Sequence, residues 1–229
     1  MILVLLACFT PAEAGDDGRD LEREALVEQL ERTGIKDERV LAAMKAVPRH
    51  RFVPDDLQSH AYKDRPLPIG LNQTISQPWV VARMTELAEP KATDKALEVG
   101  TGSAYQAAVL AQVVDHVYTV EILCEHAETA KARFAELALG NITAQCADGY
   151  AGWAEHAPFD LIVVTAAPET IPPPLLEQLA EGGRLIIPVG PAGEVQTLMR
   201  VRKKPGGELA YEEEVPVRFV PMTGEAQTR

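Results

Sequence analysis

Cysteine is scarce in this chain. Cys8, Cys124 and Cys146 are odd in number and share no Cys-x-x-Cys spacing, which argues against a disulfide framework and against a metal site. The five histidines, His50, His60, His116, His126 and His156, are scattered without ligand spacing. Positive charge is also in deficit: 22 Lys and Arg face 34 Asp and Glu, a net charge of −12. A nucleic acid is therefore not the expected partner, because binding its backbone depends on Lys and Arg neutralising phosphates. No internal apolar run is long enough to span a bilayer. What remains is ordinary for a globular protein, with 46% apolar and 24% charged residues in 229. That length suits one domain, or one domain with a substantial extension, and a core that needs no staples.

The first residues stand apart. Met1 to Phe9 is apolar, Ala12-Glu13-Ala14 resembles a small-residue cleavage site, and Leu6-Ala7-Cys8 loosely resembles a lipoprotein box. A basic n-region is missing, so a misassigned start is the alternative to a signal-like segment. Residues 1–15 are expected to stay outside the fold.

Leu21 to Arg32 reads as a helix with Leu21, Ala25, Leu26 and Leu30 on one side and Gly34 at its C-terminal end. A second helix starts at Asp37, carries Val40, Leu41, Met44 and Val47 on one face, and stops at Pro48. From Pro48 to Pro78 the chain is irregular and rich in proline. Its Phe52, Val53, Leu57, Tyr62, Leu67, Ile69 and Ile75 predict an ordered, packed segment. Pro78 suits the first position of another helix. After Pro90, predicted strands at 95–99, 116–120, 142–146, 159–165 and 184–189 alternate with helices at 104–113, 124–139 and 173–180. Alternation of this kind predicts an α/β fold, a doubly wound, mostly parallel Rossmann-like sheet. Late strands at 196–202 and 215–220, joined around Pro205-Gly206-Gly207, would add an antiparallel C-terminal edge. The helices before residue 90 form an N-terminal extension. The expected division is thus 16–90 for helices and substrate loop, and 91–229 for a cofactor-binding domain.

The most informative stretch runs from Ala96 to Tyr105. An apolar strand enters a glycine turn, a helix follows, and the next strand, Val117 to Val120, ends on Glu121. That is the layout of a nucleotide-binding βαβ unit, whose second-strand acid grips ribose hydroxyls. A dinucleotide fingerprint wants a third glycine where this chain has Tyr105, and Glu98 would repel a pyrophosphate. A ligand with a ribose, an amino group and a cationic sulfonium suits the turn better, which favours S-adenosylmethionine over NAD. Ligands in such sheets sit beyond the carboxyl ends of the strands. Four features should converge there: the turn Glu98, Gly100, Thr101, Gly102 and Ser103; the acid Glu121; the pair Asp148-Gly149; and Thr165-Ala166-Ala167. Glu121 is expected to accept from the ribose hydroxyls and Asp148 from an adenine amino group. The run Gln73-Thr74-Ile75-Ser76-Gln77-Pro78 has two readings of equal weight. It either caps a helix, or places the Thr74 and Ser76 hydroxyls over the reactive end of the cofactor.

From about residue 20 to residue 222 the chain resembles the protein-L-isoaspartate O-methyltransferase family. The resemblance is carried by Val47-Pro48-Arg49 with Phe52-Val53-Pro54, Pro66-Leu67-Pro68-Ile69-Gly70, and above all Thr74-Ile75-Ser76-Gln77-Pro78, which generic methyltransferases lack. It continues through Glu98 to Ser103, Tyr105 to Ala111, Asp148-Gly149, Ala157 to Asp160, Val163 to Ala167, Gly182 to Leu185 and Phe219-Val220-Pro221. The resemblance implies methyl transfer from S-adenosylmethionine to the α-carboxylate of L-isoaspartyl residues in damaged proteins and peptides, with Ser76 as the active-site residue. The ester then closes to a succinimide that reopens partly to aspartate. It further implies a monomer without metal, acting in the cytoplasm where the donor is made. A periplasmic location is the alternative if residues 1–14 are a signal peptide. Peptide contacts are expected from 48–78 and from Ile187-Pro188-Val189-Gly190. The family usually has glycine where Ala104 and Asn72 stand, and often tyrosine where Trp79 stands. Ala104 is expected to begin the helix with helical backbone, and Asn72 to tolerate positive φ. The rival readings are another S-adenosylmethionine enzyme acting on a small carboxylate, a non-catalytic binding protein, and, more remotely, a nicotinamide dehydrogenase.

Overall fold

The computed structural model describes residues 18–227; the signal-like segment 1–15 lies outside them. Two helices open the described chain, α1 (Asp20–Arg32) and α2 (Glu38–Ala46). The Asp37 carboxylate accepts from the Arg39 amide at 2.9 Å and so caps α2. Gly34 follows α1 at φ 105°, where a side chain would be strained. Leu26 and Leu30 are buried, but Leu21 is 81% exposed, so the apolar side of α1 is narrower than its sequence suggests.

The proline-rich stretch is ordered. It holds two 3₁₀ turns, Arg49–Phe52 and Asp55–His60, and a hairpin of β1 (Leu67–Gly70) and β2 (Gln73–Ile75) that leads into α3 (Pro78–Leu87). The hairpin loop is Leu71-Asn72, both at positive φ, 49° and 57°. That pair of angles is what a two-residue turn between twisted strands requires. Phe52, Val53, Leu67 and Ile75 are buried, as expected of a packed segment.

The main sheet comprises β3 (Lys95–Val99), β4 (His116–Glu121), β5 (Ile142–Cys146), β6 (Phe159–Val164), β7 (Leu179–Val189), β8 (Gln196–Lys203) and β9 (Leu209–Val217). Their order is β5-β4-β3-β6-β7-β8-β9, with the first five parallel and the last two antiparallel. The expected doubly wound sheet with an antiparallel edge is therefore present, although β7 and β9 begin earlier than their sequence patterns suggest. Helices α4 (Tyr105–Leu110), α5 (Cys124–Glu136) and α6 (Pro173–Glu177) accompany the parallel strands. Strands β3 and β6 are buried along nearly their whole length because both faces of the sheet are covered. One buried cluster joins α1–α3 to α4 and one face of the sheet; a second, around Leu97, Ile162 and Leu185, fills the other face.

Two expectations are corrected here. A disulfide links Cys124 and Cys146, with Cα atoms 5.0 Å apart. Sequence spacing gave no hint of it because parallel pairing makes the contact: Glu121 lies opposite Cys146, and Cys124 is the first residue of α5 just beyond. Second, Ala104 is not helical. It sits in the left-handed region at φ 77°, ψ 1°, fully buried ahead of α4. This conformation suits glycine and costs an L-residue about 1–2 kcal/mol.

Candidate active site

The switch in strand order falls between β4-β3 and β6, where the carboxyl ends of the strands leave a crevice. Gly100 begins the turn after β3 at φ 98°. A Cβ there would lie 2.6 Å from the Thr165 Oγ1, so only glycine fits. The Thr165 hydroxyl in turn donates to the Gly100 carbonyl at 2.5 Å, which locks the turn to the end of β6. Ser103 Oγ accepts from the Tyr105 amide at 3.2 Å and so supports the start of α4.

Glu121, at the end of β4, is nearly buried. Its Oε2 accepts from the Gly102 amide at 2.8 Å and its Oε1 from the Leu123 amide at 2.9 Å. Both oxygens are oriented by backbone yet keep lone pairs directed at the crevice, and a vicinal diol is a suitable partner for them. Glu98 is fully buried. Its Oε2 accepts from the Thr119 hydroxyl at 2.5 Å, Thr119 meets the Thr101 hydroxyl at 2.5 Å, and among the described residues Oε1 has no partner. Burial pushes its carboxyl up to about 8. An orphaned carboxyl oxygen on the wall of a crevice fits a ligand that brings a cationic or N–H donor group. A pyrophosphate brings only acceptors and negative charge to a crevice that already holds the Glu121 carboxylate, so these residues match S-adenosylmethionine and do not match a pyrophosphate.

The cavity wall includes Thr74, Ser76, Glu98, Gly100, Thr101, Gly102, Ser103, Glu121, Gly149 and Thr165. Of the residues expected to converge here, Asp148 and Ala167 are outside that wall. The two Asp148 oxygens accept from the Tyr150 amide at 2.9 Å and the Glu225 amide at 2.8 Å. It thus caps one 3₁₀ turn and holds another, Gly224–Gln227, over the same end of the sheet. Among the described residues no group of three His, Cys, Asp or Glu is arranged to hold a metal ion, and no helix is long and apolar enough to cross a membrane.

A second cavity, of about 550 Å³, adjoins the first. Thr74, Ser76, Thr165 and Val220 line both. The alternation of β2 explains how. Ile75 turns into the core while Thr74 and Ser76, one residue to either side, face outward. Among the described residues nothing hydrogen-bonds the Ser76 hydroxyl. Trp79, Val80 and Phe219 give the second cavity apolar walls. Arg218 is the single cation lining either cavity; it is exposed and forms no ion pair among the described residues. The segment Ile187–Gly190, expected to touch a peptide, lines neither cavity.

Three residues of this region were not singled out for roles by sequence reasoning: Arg49, Asp64 and Arg218. Arg49 lay within a recognised motif, but its partners are backbone carbonyls far along the chain. Asp64 and Arg218 carry no local signal.

Comparison with known proteins places this geometry. The family described as protein-L-isoaspartate(D-aspartate) O-methyltransferase matches residues 21–227. A protein-L-isoaspartate O-methyltransferase of Opitutus terrae is 51% identical over 226 residues, covering 98% of this chain and 97% of its own length. One from Gloeobacter violaceus is 54% identical over 198 residues, covering 86% and 96%. A solved protein-L-isoaspartate O-methyltransferase superposes with a TM-score of 0.82 at 30% identity, covering 89% of this chain and 67% of that one. A beta-aspartate methyltransferase structure from Plasmodium falciparum, in complex with S-adenosyl-L-homocysteine, gives 0.75 at 26% identity, covering 88% and 98%.

Proposed function

Because this chain belongs to the protein-L-isoaspartate(D-aspartate) O-methyltransferase family, we propose that it methylates the α-carboxylate of L-isoaspartyl residues in damaged proteins and peptides, with S-adenosylmethionine as donor. The observation that carries the reading is the shared wall. Thr74, Ser76, Thr165 and Val220 border both the crevice suited to the donor and the larger cavity open to a peptide.

Bound S-adenosylmethionine supplies an electrophilic methyl group on a cationic sulfonium. Glu121 holds the ribose hydroxyls, Glu98 faces the amino-acid end, and the turn from Gly100 to Ser103 carries the backbone against the ligand. Gly149 lets the loop after β5 pack directly on the end of β3, since a Cβ there would collide with the Val99 Cγ1. Asp148 fixes the loop that carries Gly149. The acceptor carboxylate is ionised at neutral pH, so no residue has to remove a proton from it. Ser76 and Thr74 orient that carboxylate by donating hydrogen bonds, and the walls around them exclude water. The barrier falls through alignment of the reacting atoms, which positioning alone lowers by about 7–11 kcal/mol in favourable cases. Arg218 offers the peptide a positive charge at the rim of an acidic protein. The segment before residue 90 gives the acceptor side Thr74, Ser76, Trp79 and Val80, while the chain after it gives the donor crevice its turn and the acceptor side Arg218 and Phe219. A monomer acting in the cytoplasm, where the donor is made, suits this reaction, and the Cys124–Cys146 bridge is the observation that favours the periplasmic alternative.

The test uses the full chain, labelled S-adenosylmethionine and two peptides that differ only in Asp or isoAsp before Gly. Base-labile methyl ester on the isoAsp peptide alone is the expected result. Methylation of free small acids with neither peptide labelled would replace the proposed acceptor.

A further inference from the structure

The backbone at Ser76 has no secondary structure to hold it. Strand β2 ends at Ile75 and helix α3 begins at Pro78, so the Ser76 carbonyl belongs to neither ladder. A buried side chain supplies what is missing. Arg49, fully buried in the first 3₁₀ turn, donates from Nη2 to the Ser76 carbonyl at 2.8 Å and from Nε to the Ala61 carbonyl at 2.8 Å. Its guanidinium carbon lies 4.8 Å from the centre of the Tyr105 ring, and Tyr105 is the first residue of α4, directly after the donor-binding turn. On the other side, Asp64 accepts from the Gln77 side chain at 3.0 Å and from the Trp79 amide at 2.8 Å. The segment Ser76-Gln77-Pro78 is thus gripped between two opposite charges.

Burying a guanidinium is expensive, and here burial lowers it to about 10, still charged at neutral pH. Among the described residues Nη1 has no hydrogen-bond partner of good geometry, the Tyr105 side chain lying beside the guanidinium. A plain apolar residue would fill the same volume without that penalty. Only the planar fork, however, reaches two carbonyls from separate segments while lying against an aromatic ring. We propose that Arg49 is a positioning residue: it fixes the Ser76 backbone, and so the hydroxyl, relative to the donor turn through Tyr105. The inference rests on the proposed function, because it assumes that Ser76 meets the acceptor.

Arg49→Lys keeps a charge but reaches one carbonyl at most. It is expected to lower kcat by at least ~30-fold, since a displacement of about 1 Å costs around 10²-fold in rate, with the Kd for S-adenosylmethionine within about twofold. Arg49→Gln, which buries no charge, is the second variant should the lysine protein fail to fold; circular dichroism and Tm establish the fold of each. The decisive readout is a double-mutant cycle with Ser76→Ala. If Arg49 acts through Ser76, its substitution in the Ser76→Ala background changes kcat by less than about threefold, because coupled residues are non-additive. A purely architectural arginine would give the same factor in both backgrounds, and that result overturns the inference. So does a folded Arg49 variant with undiminished kcat on the isoAsp peptide. Absence of isoAsp methylation by the wild-type chain is a separate outcome: it overturns the proposed function itself, and this inference with it.

Discussion

Glu98 makes stability and donor binding depend on pH in a way that can be worked out from its surroundings. Its carboxyl is fully buried and accepts one hydroxyl, and its other oxygen has no partner among the described residues. Burial is the main cause of its rise from 4.5 to about 8, with the Glu121 charge adding to it and the Thr119 hydrogen bond opposing it. The sign follows directly. Between pH 4.5 and about 8 the unfolded chain has lost this proton while the folded chain retains it. Protons are therefore bound preferentially by the native state, and stability falls as pH rises through that window. The slope from one such group is about 1.4 kcal/mol per pH unit, accumulating to an amount on the order of 5 kcal/mol. A cationic ligand favours the ionised form, so binding S-adenosylmethionine at pH 7 should release up to about one proton, and affinity should rise up to about tenfold per pH unit below pH 8. Glu98→Gln removes both effects, since the amide does not titrate. Urea denaturation of both proteins from pH 5 to 9 should show the variant gaining on the wild type as pH rises. Titration calorimetry in two buffers of different ionisation enthalpy counts the released protons. Parallel stability curves for the two proteins, together with a binding enthalpy that ignores the buffer, would refute the reasoning.

Glu121→Ala removes two backbone contacts and the ribose acceptor; donor Kd should weaken by about 10²-fold or more, charged hydrogen bonds being worth about 1.5–3 kcal/mol each, and unchanged calorimetric affinity would exclude it from the site. Ser76→Ala should lower kcat about 30-fold or more with the donor Kd held within twofold, within the loss expected of a hydrogen bond to a charged group; equal loss of donor binding would move Ser76 out of the acceptor role. Arg218→Gln should raise KM several-fold for isoAsp peptides with acidic neighbours, in keeping with about 0.2–1 kcal/mol for an exposed pair; high salt should erase the difference, and salt-independent kinetics would exclude an electrostatic role. Reduction of the Cys124–Cys146 bridge, or Cys124→Ser, should lower stability by about 3 kcal/mol, the chain-entropy value for its loop, with the 22-residue separation as the length; an unchanged urea midpoint under reductant would refute that.

Local rules made much of this molecule readable. Apolar runs ending on Val99, Glu121 and Val164, each followed by a break, defined a parallel sheet, and the sheet then placed Gly100, Glu121 and Thr165 at one edge. Those inferences needed only periodicity and the rule for ligands in open sheets. Contacts made by tertiary geometry were not readable in the same way. Cys124 and Cys146 meet because β4 and β5 run parallel in register, which no spacing encodes. Arg49 acts on carbonyls 12 and 27 residues away, and any residue can present a carbonyl. Ala104 was misread because alanine ordinarily favours helix, whereas the turn requires φ 77° whatever residue stands there. The family's glycine at that position was the better guide to the backbone.

The hairpin turn at Leu71-Asn72 lies at the surface, yet it sets the phase of β2. A one-residue slip of β2 against β1 would exchange its two faces: Ile75 would swing into the cavity, and the Thr74 and Ser76 hydroxyls would enter the core. The hairpin already absorbs one irregularity in register, between Pro68 and Gly70. A length change in this turn is therefore harmless when a bulge or a longer loop takes it up, and costs the site when it is passed on to β2.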